Sequence, residues 1–253
     1  MHIETVGQGP DLVLIHGWAL HGGVFAPLVA RLSGRFRLHL VDLPGHGHSR
    51  DEETPLALPH VVHAIAAATP PAVWLGWSLG GLFALHAAAS LPQVQALAMV
   101  AATPRFVRGE DWPDAVDAEV FAQFGRDLAE DYRGTLDRFL ALDTIGSEHA
   151  RSELRTLKQA LVERGEPAPR ALQEGLTLLR RTDLRRALAT LDKPSLWLAG
   201  QRDRLVPAAG MHAAAALAPL AQALTIPGGG HAPFLGHADE VAAQLERFVS
   251  TLG

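Results

Sequence analysis

The chain is 253 residues long, is 48% hydrophobic and carries a formal net charge of -5. That length and apolar content suit one large α/β domain or two small ones, and the acidic balance argues against general nucleic-acid binding. The absence of cysteine excludes disulfides, thiolate metal sites and a cysteine nucleophile.

No apolar run approaches the length of a membrane-spanning helix. The opening Met1-His2-Ile3-Glu4-Thr5 has neither the basic start nor the apolar run of an export signal. A cytoplasmic monomer with no membrane role is therefore expected. Residues 1–10 read as a short strand closed by the turn Gly7-Gln8-Gly9-Pro10. Asp11 to Ile15 reads as a buried strand, ending at His16-Gly17-Trp18. A helix is expected over Val24 to Leu32. The strand Phe36 to Val41 runs into Asp42-Leu43-Pro44-Gly45-His46-Gly47-His48-Ser49, and residues 58–68 read as helix. The short apolar run Ala72-Val73-Trp74-Leu75 reads as a strand, and Leu82 to Ala89 favours helix. Val94 to Val100 is another apolar strand. From about Arg105 to Thr190 there is helical periodicity and no strand pattern. Strands resume at Ser195–Gly200 and Gln222–Ile226, with a last helix near Asp239 to Leu252. Short apolar strands alternating with helices predict an α/β fold with a mostly parallel, doubly wound sheet. The expected division is a core of residues 1–104 and 191–253 and a helical lid of residues 105–190. An insertion at the carboxyl end of a strand lies over the edge where such sheets bind ligands.

The strand at 72–75 and the helix at 82–89 bracket Gly76-Trp77-Ser78-Leu79-Gly80. A G-x-S-x-G between strand and helix is a nucleophile elbow, a turn tight enough to hold the serine hydroxyl clear of the sheet. A serine needs a base to take its proton, and the base needs an acid to orient it. Asp203 lies three residues beyond the strand ending at Gly200, whereas Asp192 precedes that strand and falls at the opposite edge. His231 follows the last strand across Pro227-Gly228-Gly229-Gly230, a loop flexible enough to fold back over the sheet. The rival His237 opens the last helix, where capping or solvent exposure is expected. His46 and His48 share a glycine-rich loop with no third ligand in sequence, so no metal site or cofactor is expected. Acyl transfer also needs oxyanion donors, and the amides of Leu79 and Trp18 occupy the expected places. The Trp18 and Trp77 side chains read as pocket wall or as core.

These residues, taken in order along the whole chain, resemble the α/β-hydrolase superfamily. A narrower resemblance rests on Gly17-Trp18, Leu38 to Gly45, Trp74 to Leu82 and Arg138-Phe139-Leu140-Ala141-Leu142. These segments are similar to the family of pimeloyl-[acyl-carrier protein] methyl ester esterases of biotin synthesis. That resemblance implies a methyl-ester hydrolase acting on a pimeloyl chain borne by acyl carrier protein. It also implies a substrate pocket touching Trp18, Ser78, Leu79, Phe139, Leu140, Ala141, Leu142, Asp143 and His231.

The lid region itself carries a helix pattern from Ser147, read as its N-cap, to about Arg164, with Gly165 and Pro167 as stop signals. Arg151 and Arg155 stand one position on from the apolar stripe Ala150, Leu154, Leu157 and Leu161, and Lys158 continues the row. Residues 151–186 hold nine basic and five acidic residues, against five and ten in 105–143. The basic row, with Arg138, suits docking of an acidic carrier protein; an ordinary solvated face is the alternative. A general short-chain carboxylesterase, a carbon–carbon bond hydrolase, an acyltransferase and a non-catalytic ligand-binding protein also fit this frame.

Overall fold

The computed structural model describes residues 1–252. Its strands are β1 (Ile3–Gly7), β2 (Asp11–Ile15), β3 (Arg37–Val41), β4 (Ala72–Trp77), β5 (Val94–Val100), β6 (Ser195–Gly200) and β7 (Ala221–Ile226). They form one seven-stranded sheet in the order β1-β3-β2-β4-β5-β6-β7. Only β1 runs antiparallel to its neighbour. The central strands read as unbroken apolar runs because both faces are covered: Leu12 to Ile15 and Val94 to Val100 are buried apart from Gln95. β7 alternates half-buried and exposed positions up to the buried Ile226, consistent with its place at the edge of the sheet.

The core helices are α1 (Ala26–Leu32), α2 (Leu58–Ala68) and α3 (Leu79–Ser90). Between β5 and β6 come α4 (Ala118–Glu130), α5 (Tyr132–Thr144), α6 (Ala150–Glu163), α7 (Pro169–Arg181) and the single turn α8 (Arg185–Leu188). The chain closes with α9 (Ala208–Ala215), the turn α10 (Pro233–Gly236) and α11 (Ala238–Ser250). No helix among the described residues is long and apolar enough to cross a membrane.

Most expected elements fall within a residue or two of their places, and three details differ. A 3-10 turn over Gly22–Phe25 precedes α1, capped by the His21 side chain, which accepts from the Gly23 amide. The helix α9 had no amphipathic signal in sequence, because its alanine-rich run lacks polar alternation. Ser147 is not the N-cap of α6; His149 occupies that position. The hydroxyl of Ser147 instead accepts from the His149 amide at 3.2 Å and donates to Glu153 Oε1 at 2.8 Å, bracing the turn before the helix. The stop signal acts as expected: α6 ends at Glu163, and Gly165 takes φ +85°.

Candidate active site

The sheet's carboxyl edge gathers the three residues picked out above. β4 ends at Trp77 and α3 begins at Leu79, leaving Ser78 in the turn at φ +53°, ψ -122°. That backbone region is strained for a side-chain-bearing residue and is held by its surroundings. A Cβ on Gly76 would lie 2.4 Å from the Gly80 carbonyl oxygen, and one on Gly80 would lie 2.1 Å from that of Ile15. Both positions are therefore closed to any larger residue.

In the tautomer that satisfies both neighbours, the Ser78 hydroxyl donates to His231 Nε2 at 2.8 Å and His231 Nδ1–H donates to Asp203 Oδ2 at 2.8 Å. Asp203 is fixed in turn, because its Oδ1 accepts from the amides of Leu205 and Val206. Asp192 lies on the surface before β6, at the far edge of the sheet. Ser78, His231 and Asp203 are only 4%, 1% and 6% exposed. A surface hollow lined by Pro10, Arg35 and Pro194 among others lies at the opposite edge of the sheet and has no part in this arrangement.

Leu79 is the first residue of α3, so its amide has no acceptor within the helix. Among the described residues no acceptor is found for the Trp18 amide either. The two early loops are tied by His16, whose Nδ1–H donates to the Gly17 carbonyl while Nε2 accepts from the Leu43 amide. Burial, with the neighbouring His46, pushes its pKa down to about 3, so this imidazole stays neutral and structural. His46 is likewise buried and neutral, with its pKa pushed down by burial to about 4.

Two tryptophans do more than fill core. Trp77 Nε1–H donates to the His231 carbonyl at 2.7 Å, and its ring packs edge-on against Phe234. Trp18 Nε1–H donates to the Leu172 carbonyl of α7, while its ring meets Phe139 at 4.5 Å and Phe124 at 6.4 Å. Trp18, Phe139 and Phe124 thus form an aromatic seam between core and helical segment. On α5, Leu142 and Asp143 lie about 60° and 40° to either side of Phe139, while Ala141 points about 200° round from it.

Asp143 is the residue whose chemistry composition did not reveal. It is fully buried, neither carboxylate oxygen has a hydrogen-bond partner, and its carbonyl accepts from the His231 amide at 3.2 Å. Burial pushes its pKa up to about 7, with His231 opposing and Asp203 adding to the rise. For His231, burial pushes the pKa down, but the charge and hydrogen bond of Asp203, with the charge of Asp143, outweigh it and leave the imidazole raised. A base must be neutral to accept the Ser78 proton, so ester turnover is expected to fall as pH drops through the His231 pKa. Asp143→Asn removes a charge that favours the imidazolium and should move this acid limb to lower pH. It should also raise the melting temperature at pH 8 more than at pH 4. The folded Asp143 binds its proton more tightly than the unfolded one, so wild-type stability declines as pH rises through that interval. An unchanged pH–rate profile together with equal melting shifts at both pH values would show that Asp143 is electrically silent.

A sequence model described as the alpha/beta hydrolase fold matches residues 10–238. The chain belongs to the α/β-hydrolase family. Over 252 residues this α/β-hydrolase is 79% identical to a pimeloyl-[acyl-carrier protein] methyl ester esterase of Xanthomonas campestris pv. campestris strain B100, covering 100% of both chains. It is 75% identical to the protein of the same name from Stenotrophomonas maltophilia strain K279a, covering 100% of this chain and 97% of that one. Among solved structures, an esterase from Exiguobacterium antarcticum shares the fold at TM-score 0.89 and 21% identity, over 98% of this α/β-hydrolase and 95% of that chain.

Proposed function

We propose that this chain is a serine esterase that cleaves the methyl ester of pimeloyl-[acyl-carrier protein], giving pimeloyl-carrier protein and methanol for biotin synthesis. The observation that carries this reading is the 79% identity across the whole of both chains with an esterase of that name. The hydrogen-bonded run Ser78–His231–Asp203 supports the chemistry. Ser78 Oγ attacks the ester carbonyl while His231 Nε2 takes its proton. The amides of Leu79 and Trp18 hold the tetrahedral oxyanion, each donor being worth roughly 2.7–4 kcal/mol in such sites. Collapse breaks the bond to the methoxy oxygen, and His231 returns the proton to the departing methanol. Water, deprotonated by His231, then breaks the acyl–Ser78 ester and frees the carboxylate. Asp203 stays ionised and holds the imidazole throughout. No step calls for a cofactor.

In this reading residues 105–190 act as a lid, and Trp18, Leu79, Phe139, Leu140, Ala141, Leu142 and Asp143 receive the acyl chain. The enzyme works as a cytoplasmic monomer, alongside the carrier that brings its substrate. Mass spectrometry of methyl pimeloyl-carrier protein after incubation tests the reaction directly. Loss of the mass of one methylene, with the thioester intact, is the expected result; loss of the acyl chain from the carrier would mark a thioesterase instead.

Docking of the carrier falls to Arg151 and Arg155, which are exposed on α6 one helical turn apart. Among the described residues neither makes an ion pair, whereas Lys158 pairs with Asp137 at 2.8 Å. Arg138 is held by Asp127, Asp131 and Thr135, which leaves it a partial contributor. Charges at a rim act mainly on encounter rate and salt dependence. Reversing Arg151 and Arg155 to Glu should therefore lower kcat/KM for the carrier-linked ester about tenfold or more at low salt. Hydrolysis of a p-nitrophenyl ester should hardly change. Equal losses on the two substrates would make the arginines structural, and no loss on either would make them an ordinary solvated face.

A further inference from the structure

His237 neither caps α11 with its side chain nor faces solvent. Its ring is 10% exposed and turns toward Glu148 and His149, at the foot of α6. Glu148 Oε1 lies 3.6 Å from His149 Nε2 and 3.7 Å from His237 Nε2, and the two rings stand 5.0 Å apart. One ligand atom from each of the three residues lies within 4.8 Å of the others. Both distances exceed a hydrogen bond, and the buried His237 Nε2 has no partner among the described residues. Buried polar atoms are rarely left so. A second orphan lies beside it: Glu153 is 1% exposed, and its Oε2 is also unpartnered. Gly236 makes room for the group, since a Cβ there would lie 2.5 Å from Glu153 Oε1 and 2.7 Å from the His149 ring.

We propose that Glu148, His149 and His237 form a site for a divalent transition-metal ion of the zinc class, fastening the helical segment to the loop that carries His231. Two imidazole nitrogens and a carboxylate oxygen are borderline ligands that suit zinc and exclude magnesium or calcium as the preferred ion. A tetrahedral zinc ion with bonds near 2.1 Å needs ligand atoms about 3.4 Å apart, so the two distances from Glu148 need to close by only a few tenths of an ångström, and a rotation of the imidazoles brings their nitrogens together from within 4.8 Å. Glu148 and His149 are about half exposed, which leaves the fourth position to water. The ion would join two parts of the chain that flank the triad. The Glu148 amide already donates to the Gly228 carbonyl, three residues before His231, and His237 lies six residues after it. The other cluster of this kind, His2, Asp42 and His48, lacks such a vacancy. Asp42 there already accepts from the amides of Gly22 and His48 and from Arg164.

The test is calorimetry and thermal melting of the full-length, untagged, chelator-treated protein with zinc chloride. Wild type is expected to bind one zinc ion per chain, with a rise in melting temperature of roughly 5 °C at a hundredfold excess over Kd. His149→Ala with His237→Asn should weaken binding at least tenfold and remove the rise, while His48→Ala should leave both unchanged. Absence of stoichiometric binding, or binding undiminished in the double variant, would overturn the site. Binding with no rise in melting temperature would overturn the fastening role.

Discussion

Ser78→Ala is expected to lower ester turnover by at least about four orders of magnitude, since removing the nucleophile of a triad costs as much as removing the whole unit. In the proposed reaction one hydroxyl carries the covalent step, and among the described residues no other hydroxyl approaches His231 Nε2. The variant should remain folded, because alanine removes a single buried atom and relieves nothing else in the turn. Far-ultraviolet circular dichroism and melting temperature, measured beside the turnover of a p-nitrophenyl ester, separate the two effects. A folded variant retaining about a tenth of the wild-type rate would remove Ser78 from the nucleophile's role.

Asp203→Asn is expected to cost roughly three to four orders of magnitude in kcat. The physical reason is the tautomer. Asp203 Oδ2 accepts from His231 Nδ1–H, which leaves Nε2 free to take a proton from Ser78. An asparagine amide in the same place can donate to Nδ1 and put the proton on Nε2, where it blocks the transfer. The asparagine carbonyl can still accept from the Leu205 and Val206 amides, so the loop should keep its shape. The control is Asp192→Asn, at the far edge of the sheet, whose rate should match wild type. A crippled Asp192 variant beside a mild Asp203 variant would reverse the assignment.

The sequence carried the elbow and the edge-of-sheet logic because both depend on order along the chain. A strand, a glycine-flanked serine and a helix can be read locally, and the carboxyl end of a strand follows once the strand is placed. That is why Asp203 could be preferred to Asp192, and His231 to His237. Legibility ended where side chains meet across the fold. Nothing in the local pattern says that Asp143 lies unpaired beside His231, since an aspartate at the end of a polar helix ordinarily faces water. The Trp77 bond to His231 was hidden in the same way, and so was the turn of His237 toward Glu148. The basic row was visible, but its reduction was not: Lys158 is engaged by Asp137 of α5, and Arg138 by Asp127 of α4 and by Asp131 at the junction of the two helices.

The Trp77 contact has a mechanical consequence. The residue next to the nucleophile grips the main chain of the base, though the nucleophile and the base are 153 positions apart in sequence. Displacement of the loop after β7 therefore drags on the elbow, and displacement of the elbow drags on the loop. The indole acts as a tie rod across a margin built otherwise from loops.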